Sequence, residues 1–397
     1  MDRAVQAPLE GTRVIDFTSA WAGPMCTRIL ADMGAEVIKI ENPTRLDLGR
    51  TWPPFADGQQ GSSPNRSGWF AVFNRGKKDC LLNLKQPEGV DIAKRLVRIS
   101  DIVVENFPPK VMASLGLDYQ VLRQVKPDLI MVSLSGYGAT GPDKDRPAWG
   151  AVLEPYAGLS LLIADAEGCP NGCGNQISDH IGGISAAFAT LAALHHRDLT
   201  GEGQHIDVSE VEALVACMPK AILEFTMNGR TPGARANKDD AMSPHGCYRC
   251  RGEDKWVAIS VESDAEWREL CLVMGKPNLT GDKRFFNVVG RLQNEEELDK
   301  IVTEWTCMRS HTDVMQQLQK AGIACGPVYS AEELYSDPQL RSRGFFVETS
   351  HAEAGKREVP GLFAKLGRTP GAISGPDPLL GQHTDWVLHH LLAGDST

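Results

Sequence analysis

The residues best suited to chemistry lie in one run, Asn171-Gly-Cys-Gly-Asn-Gln-Ile-Ser178-Asp179-His180-Ile-Gly182-Gly183. A loop of small and polar residues ends in a carboxylate. An apolar, Ala-rich stretch follows, with Ile181, Ile184, Phe188 and Leu191 at helical spacing. The pattern places Asp179 at the start of a helix, with Gly182 and Gly183 leaving room for something to approach. Two readings compete. Ser178 or Asp179 is an N-cap, accepting orphan amide hydrogens of the first turn. Alternatively Asp179 is a nucleophile; as a solvated acid it would be ionised near neutral pH and need no separate base. No Ser-His-Asp or HExxH signature accompanies it. Cys247-Tyr-Arg-Cys250 has CxxC spacing, and with Cys169 and Cys173 could hold zinc. The pair lies in a hairpin-like stretch before Trp256–Val261, and no second knuckle is evident, so no metal is expected.

The elements that must position Asp179 come from a chain of 397 residues, long enough for two domains. Composition is that of a soluble protein, 42% hydrophobic and 23% charged. A net charge of -10 argues against nucleic acid as a partner. The first ten residues lack the apolar core of a signal peptide, and Gly182–Leu194 is short and small-residue-rich for a membrane span. With ten cysteines and no secretion signal, a reduced, cytoplasmic setting is expected.

Residues 12–17 read as a strand, Gly23-Pro24 opens a helix closed at Gly34, and Glu36–Ile40 is the next strand. That is a βαβ unit, so its strands should be parallel. Residues 43–68 read as a long surface loop. Strands at 79–84, 101–105 and 128–134 alternate with a helix from Pro87 to about Ile99 and short helices around Val111 and Val121. The fold class is α/β, a doubly wound Rossmann-like parallel sheet with its ligand beyond the carboxyl ends of the strands. Gly136-Tyr-Gly138-Ala-Thr-Gly141 matches GxGxxG, but Pro142-Asp-Lys-Asp-Arg-Pro147 follows where a dinucleotide fingerprint needs a helix. Strand 205–209 and a long helix from Glu210 to about Glu224 complete the first unit. Residues 1–225 are read as the large domain, 226–330 as a linker and a smaller α+β domain, and 331–397 as a segment returning to the large one.

Several of these stretches together resemble the family III CoA-transferases, the group of formyl-CoA and carnitine-CoA transferases. They are Gly11–Phe17, Ala22-Gly23-Pro24, Leu30–Glu41, Asn74-Arg-Gly-Lys77-Lys78 and Leu84-Lys85. Glu105-Asn106-Phe107, Ser135–Gly138, Thr200–Gln204 and Gly381–Thr384 extend the match over nearly the whole chain. The resemblance implies that Asp179 is the catalytic aspartate. Its carboxylate would attack an acyl-CoA thioester to give a mixed anhydride, and then carry CoA as a thioester to an incoming acid. It implies an interlocked dimer, either a homodimer or a heteromer with a related subunit. The positions implied or offered for coenzyme A are Trp21, Ala22, Arg45, Asn74, Arg75, Lys77, Lys85, Asn106, Phe107, Lys110 and Tyr137. For single basic residues the competing reading is a solvated face. Oxyanion donors would be backbone amides beside Asp179 and the adjoining glycines.

Some positions depart from the family pattern. Pro108-Pro109-Lys110 replaces Arg-Pro-Gly, Ser114 and Asn42 stand where Arg is frequent, and no glycine-rich flap appears around Asp239–Gly246. Trp149-Gly150 stands where racemases of the superfamily place a His-Asp pair, which argues against racemisation by that route. Trp21 stands where oxalate-type enzymes have Gln. Trp21 and Trp149 either shape a roomy acyl pocket or are ordinary packing. The first reading points to a bulky or aryl-substituted acceptor such as a substituted succinate, with succinyl-CoA as donor. An acyl-CoA racemase or isomerase, and a non-catalytic CoA-binding subunit, are the alternatives.

Overall fold

The computed structural model describes residues 6–393. Residues 1–5, where the stretch read as lacking a leader begins, lie outside the described residues. Six strands, β1 (Arg13–Asp16), β2 (Glu36–Glu41), β3 (Lys78–Leu81), β4 (Ile102–Glu105), β5 (Ile130–Ser135) and β6 (His205–Ser209), form one sheet in the order β3-β2-β1-β4-β5-β6. Every pairing is parallel, with Ile15 opposite both Ile38 and Val103. The chain reverses direction of winding between β1 and β4, and the crevice at their carboxyl ends is where such sheets bind ligands.

The helices in this part of the chain are α1 (Ala22–Asp32), α2 (Gly68–Asn74), α3 (Pro87–Arg98), α4 (Lys110–Ser114), α5 (Tyr119–Val125), α6 (Gly150–Tyr156), α7 (Leu159–Leu162), α8 (Ile177–Thr200), α9 (Glu210–Ala216) and α10 (Pro219–Asn228). Successive strand residues point to opposite faces, so both faces need cover. Val14, Val37, Val104 and Val132 pack with Cys26 and Leu30 of α1 and Ala186, Ala187 and Leu194 of α8. Ile15, Ile38, Val103 and Met131 pack with Ala93, Leu96 and Val97 of α3 and Leu122 of α5. The edge strand β3 is covered by the chain's end: His383 N–H donates to Asp79 O, and Thr384 Oγ1 accepts the Leu81 N–H.

The βαβ unit, the alternating strands and the hairpin of the smaller unit form as the spacing predicts. Three expectations fail. The helix from Glu210 does not run to Glu224; it breaks into α9 and α10 because Pro219 has no N–H to continue it. Residues 43–68 are not a plain surface loop, since Arg50 is buried within them and bonded to Glu41. The apolar run after Asp179 is longer than Gly182–Leu194. By length and composition α8, at 24 residues, could cross a membrane. Its Ala186, Ala187, Thr190 and Ala193 are instead buried against the sheet layer, while Phe188 and Leu191 are exposed.

The chain divides into two compact units, one reaching to Ser160 with Gly172–Pro232 and the chain from Gln339 on, the other Leu161–Asn171 with Gly233–Pro338. The second unit holds an antiparallel sheet of β7 (His245–Arg249), β8 (Trp256–Ser260) and β9 (Ala324–Pro327) in sequence order. Its core joins Val257 and Ile259 to Trp267, Leu298, Val302 and Leu318 from its helices. Cys247 is exposed and Cys250 buried, as residues three apart along extended chain must differ in face.

Candidate active site

α8 begins at Ile177, not at Asp179, so neither Ser178 nor Asp179 is its N-cap. That position is Gln176, held in the left-handed region at φ 34° with no side-chain cap bond. Glu154, buried on α6, supplies the missing acceptor: Oε1 takes the Ile177 N–H at 2.7 Å and Oε2 the Cys173 N–H at 3.2 Å. Asp179 in the first turn is thereby released from capping. The backbone N–H groups of Ala22, where α1 starts, and of Asp179 itself favour its charged form, the Asp179 N–H donating to Gln176 O at 3.1 Å. The carboxylate thus sits where the positive ends of two helices meet.

Glycines make this meeting possible. A Cβ on Gly183 would lie 2.6 Å from Ala22 O, and one on Gly150 would lie 2.1 Å from Asp179 Oδ2. Gly182 faces Glu210, whose Cγ would be 2.8 Å from an added Cβ. Gly182 and Gly183 therefore admit neighbouring protein. Being inside α8, their N–H groups are committed to the helix and are not the oxyanion donors expected of them.

The expectation of a solvated, fully ionised acid also fails. Burial pushes Asp179 up to about 7; the two N–H groups pull it down, and the charge of Glu154 adds to the rise. A carboxylate poised near neutrality, stripped of much of its water, is a better nucleophile than a solvated one.

Aromatic rings lead away from it. Trp21 Nε1 donates to His180 Nε2 at 3.2 Å, and burial and Arg28 lower the His180 pKa. Trp21 packs edge-on against Trp69 at 4.1 Å between centroids, Trp69 against Trp52 at 5.5 Å, and Trp52 approaches Trp149 at 6.2 Å. Trp21 is buried and Trp149 is 54% exposed, so the row runs from core to surface. On the other side of Ala22, Asn106 follows β4 and clamps Ser19 after β1, accepting its N–H at 2.8 Å and donating to its carbonyl at 2.9 Å. Phe107 beside it is half-buried, its N–H held by Glu105 Oε2 at 2.8 Å.

The basic candidates divide by burial. Arg75 is buried and paired with Asp32 at 2.6 Å. Lys77 is buried with its Nζ 2.9 Å from Asp16, 2.7 Å from Thr27 Oγ1 and 2.8 Å from Asn74 Oδ1. Burial lowers Lys77 to about 8 despite Asp16. Asn74 also donates to Phe70 O, so it is spent on structure. Lys77, held by Asn74, braces the turn after β1, since Asp16 also accepts the Thr18 N–H at 2.8 Å, while Arg75 ties the end of α1 to Pro360 O. None of them faces outward as a phosphate contact would, so all three are withdrawn from that role. Arg45 and Lys85 are exposed, and Lys110 is exposed in an ion pair with Asp145 at 2.7 Å. Tyr137 lines a cleft of about 300 Å³ with Tyr156, Asp143, Asp207 and Glu212, an acidic seat that disfavours phosphate. The glycine motif there turns at Gly138 and Gly141, φ 82° and 80°, and no helix starts before Gly150.

Sequence reasoning missed Glu154, Glu210 and His180. Glu154 had a signal, an acid among apolar neighbours ahead of Pro155. Glu210 had none, because an acid in a helix's first turn is already explained by the dipole.

A doubly wound parallel sheet with a largely buried carboxylate in the first turn of a helix that packs on α1 is the architecture of this site. Residues 9–384 match CoA-transferase family III, and the chain belongs to that family. It is 34% identical to the succinate–glutarate CoA-transferase of Agrobacterium fabrum, over 97% of this chain and 96% of that one. It is 32% identical to the succinyl-CoA–D-citramalate CoA-transferase of Chloroflexus aurantiacus, over 97% and 94%. A CAIB/BAIF family protein from Brucella suis superposes with a TM-score of 0.86 at 27% identity, covering 96% of this chain and 98% of that one. The protein is a family III CoA-transferase, a class of enzyme that uses CoA thioester substrates.

Proposed function

We propose that the enzyme moves CoA from succinyl-CoA to a dicarboxylic acid, with Asp179 as the covalent carrier. The supporting observation is the Asp179 carboxylate, freed from capping by Glu154, placed beside Gly150 and pushed up to about 7 by burial. The donor follows the two relatives, whose names give succinate or succinyl-CoA with a dicarboxylate. The row from Trp149 to Trp21 favours an acceptor with an apolar or aryl substituent, such as a substituted succinate. Arg45, Lys85 and Lys110 are the outward cations for the CoA phosphates, and Asn106 and Phe107 line the switch crevice for the rest of CoA. Assembly as a homodimer, or with a related subunit, is supported by the exposed Phe188, Phe225 and Met227, since apolar residues gathered on helix surfaces ask for cover. Exchange measured with succinyl-CoA over glutarate, citramalate, and alkyl- and aryl-substituted succinates tests this. Turnover with dicarboxylates, highest for the substituted ones, is expected. Activity confined to oxalate, formate or carnitine would overturn it.

A further inference from the structure

Glu210 is the first residue of α9, where Ser209 supplies the cap by accepting the Glu212 N–H at 3.3 Å. An acid there normally faces water and gains from the dipole. This one turns inward. It is 7% exposed, and its Oε2 is buried with no hydrogen-bond partner. Its Cγ passes over Gly182, three residues beyond Asp179 and so on the same face of α8. A buried carboxylate without a partner is costly as an anion and takes a proton instead. Burial first, and then the Asp179 charge, push Glu210 up to about 8. The other titratable groups on elements packed against α9 are Glu154 and Tyr156 on α6, His180, His195, His196, Arg197 and Asp198 on α8, and His205 and Asp207 on β6, with Glu212 on α9 itself. The electrostatic part of the rise comes from Asp179.

We propose that Glu210 is a positioning residue for Asp179: a neutral acid under Gly182 that holds the proton of the pair, so that the single charge rests on Asp179. The inference builds on the nucleophile reading above. In that cycle an Asp179 oxygen bonds to the thioester carbon, the C–S bond breaks and the electron pair leaves on the CoA thiolate. The thiolate then bonds to the Asp179 carbonyl carbon, the anhydride C–O bond breaks and the donor acid leaves as its carboxylate. Asp179 is now an uncharged thioester awaiting the acceptor carboxylate. No proton moves in these steps, and Glu210 keeps its own throughout. An ionised Glu210 would repel the arriving acceptor and oppose the alkoxide that forms when it attacks. In the thioester form the Asp179 charge is gone, so Glu210 ionises at lower pH than in the free enzyme, while burial keeps it above an ordinary glutamate.

Two measurements test this in the whole enzyme. The first is kcat/KM for the acceptor acid against pH, in wild type and Glu210→Gln. Wild type is expected to fall on the alkaline side, approaching about tenfold per pH unit, and Glu210→Gln to lose that fall. A packing role alone would leave the profile's shape unchanged. The second is the infrared carboxyl C=O stretch of the free enzyme. The protonated band at neutral pH should lose one component in Glu210→Gln, and in Asp179→Asn that component should titrate at lower pH. The second arm keeps Glu210 and does not depend on how Glu210→Gln folds. An unchanged band in Glu210→Gln, an unmoved midpoint in Asp179→Asn, or an unaltered alkaline fall would overturn the proposal while leaving Asp179 as carrier. Full turnover by Asp179→Asn would instead overturn the carrier, and the infrared component would still report whether the two acids are paired.

Discussion

Gly150→Ala is the sharpest perturbation of the site. The added Cβ would stand 2.1 Å from Asp179 Oδ2 and 2.5 Å from Gln176 Cβ, where ordinary contact begins at 3.4 Å. The carboxylate must therefore yield by about 1.3 Å, or α6 must back away from α8, carrying Glu154 with it. A misplacement of about 1 Å costs about 10²-fold in rate, which is about 2.7 kcal/mol of barrier. Overpacking costs stability as well, about 1–3 kcal/mol. Gly150 has no positive φ, so backbone strain plays no part. The assay is single-turnover CoA transfer onto the enzyme, beside a thermal melt. Transfer should fall about 10²-fold while the melt still shows a cooperative fold. A folded Gly150→Ala enzyme with undiminished transfer would refute the placement of the nucleophile.

Three further outcomes follow from the same geometry. Because Asp179 is raised to about 7 and must be ionised to attack, kcat/KM for the acyl-CoA donor should rise with pH to a plateau above about 7, as read from initial rates. The same shift taxes stability. Below the ordinary aspartate value it has no effect; the penalty grows as pH rises and is complete above about 7. Asp179→Asn should therefore melt a few degrees higher than wild type at pH 8 and no higher at pH 4, by calorimetry. Arg75→Ala removes the nearer cation from buried Asp32 and leaves Arg28 at 3.8 Å, costing up to about 3 kcal/mol of stability in denaturant titration, while CoA affinity below the melt is unchanged.

Much of the sheet was legible because its strands are short stretches rich in Val, Ile and Leu that alternate with segments of period 3.6. Pro219 was equally visible, yet the apolar pattern across it was read as one helix. Asp179 was legible as a helix-start acid. What made it more than a cap came from Glu154, some two dozen residues upstream, taking the capping role through a long-range bond. The basic residues misled because charge suggests solvent. Arg75 and Lys77 are inside because Asp32 and Asp16 are inside with them. Burial of an ion pair is a property of two distant positions, and neither position shows it alone. The Trp row was visible only as two separate tryptophans, since Trp52 and Trp69 join it from the stretch after β2 and from α2.

The most direct measurement is intact and peptide mass spectrometry of the enzyme quenched after mixing with succinyl-CoA. A CoA-sized thioester adduct on the peptide bearing Asp179, absent in Asp179→Asn, is the predicted result. No adduct under conditions of active turnover, or an adduct on another peptide, would contradict it.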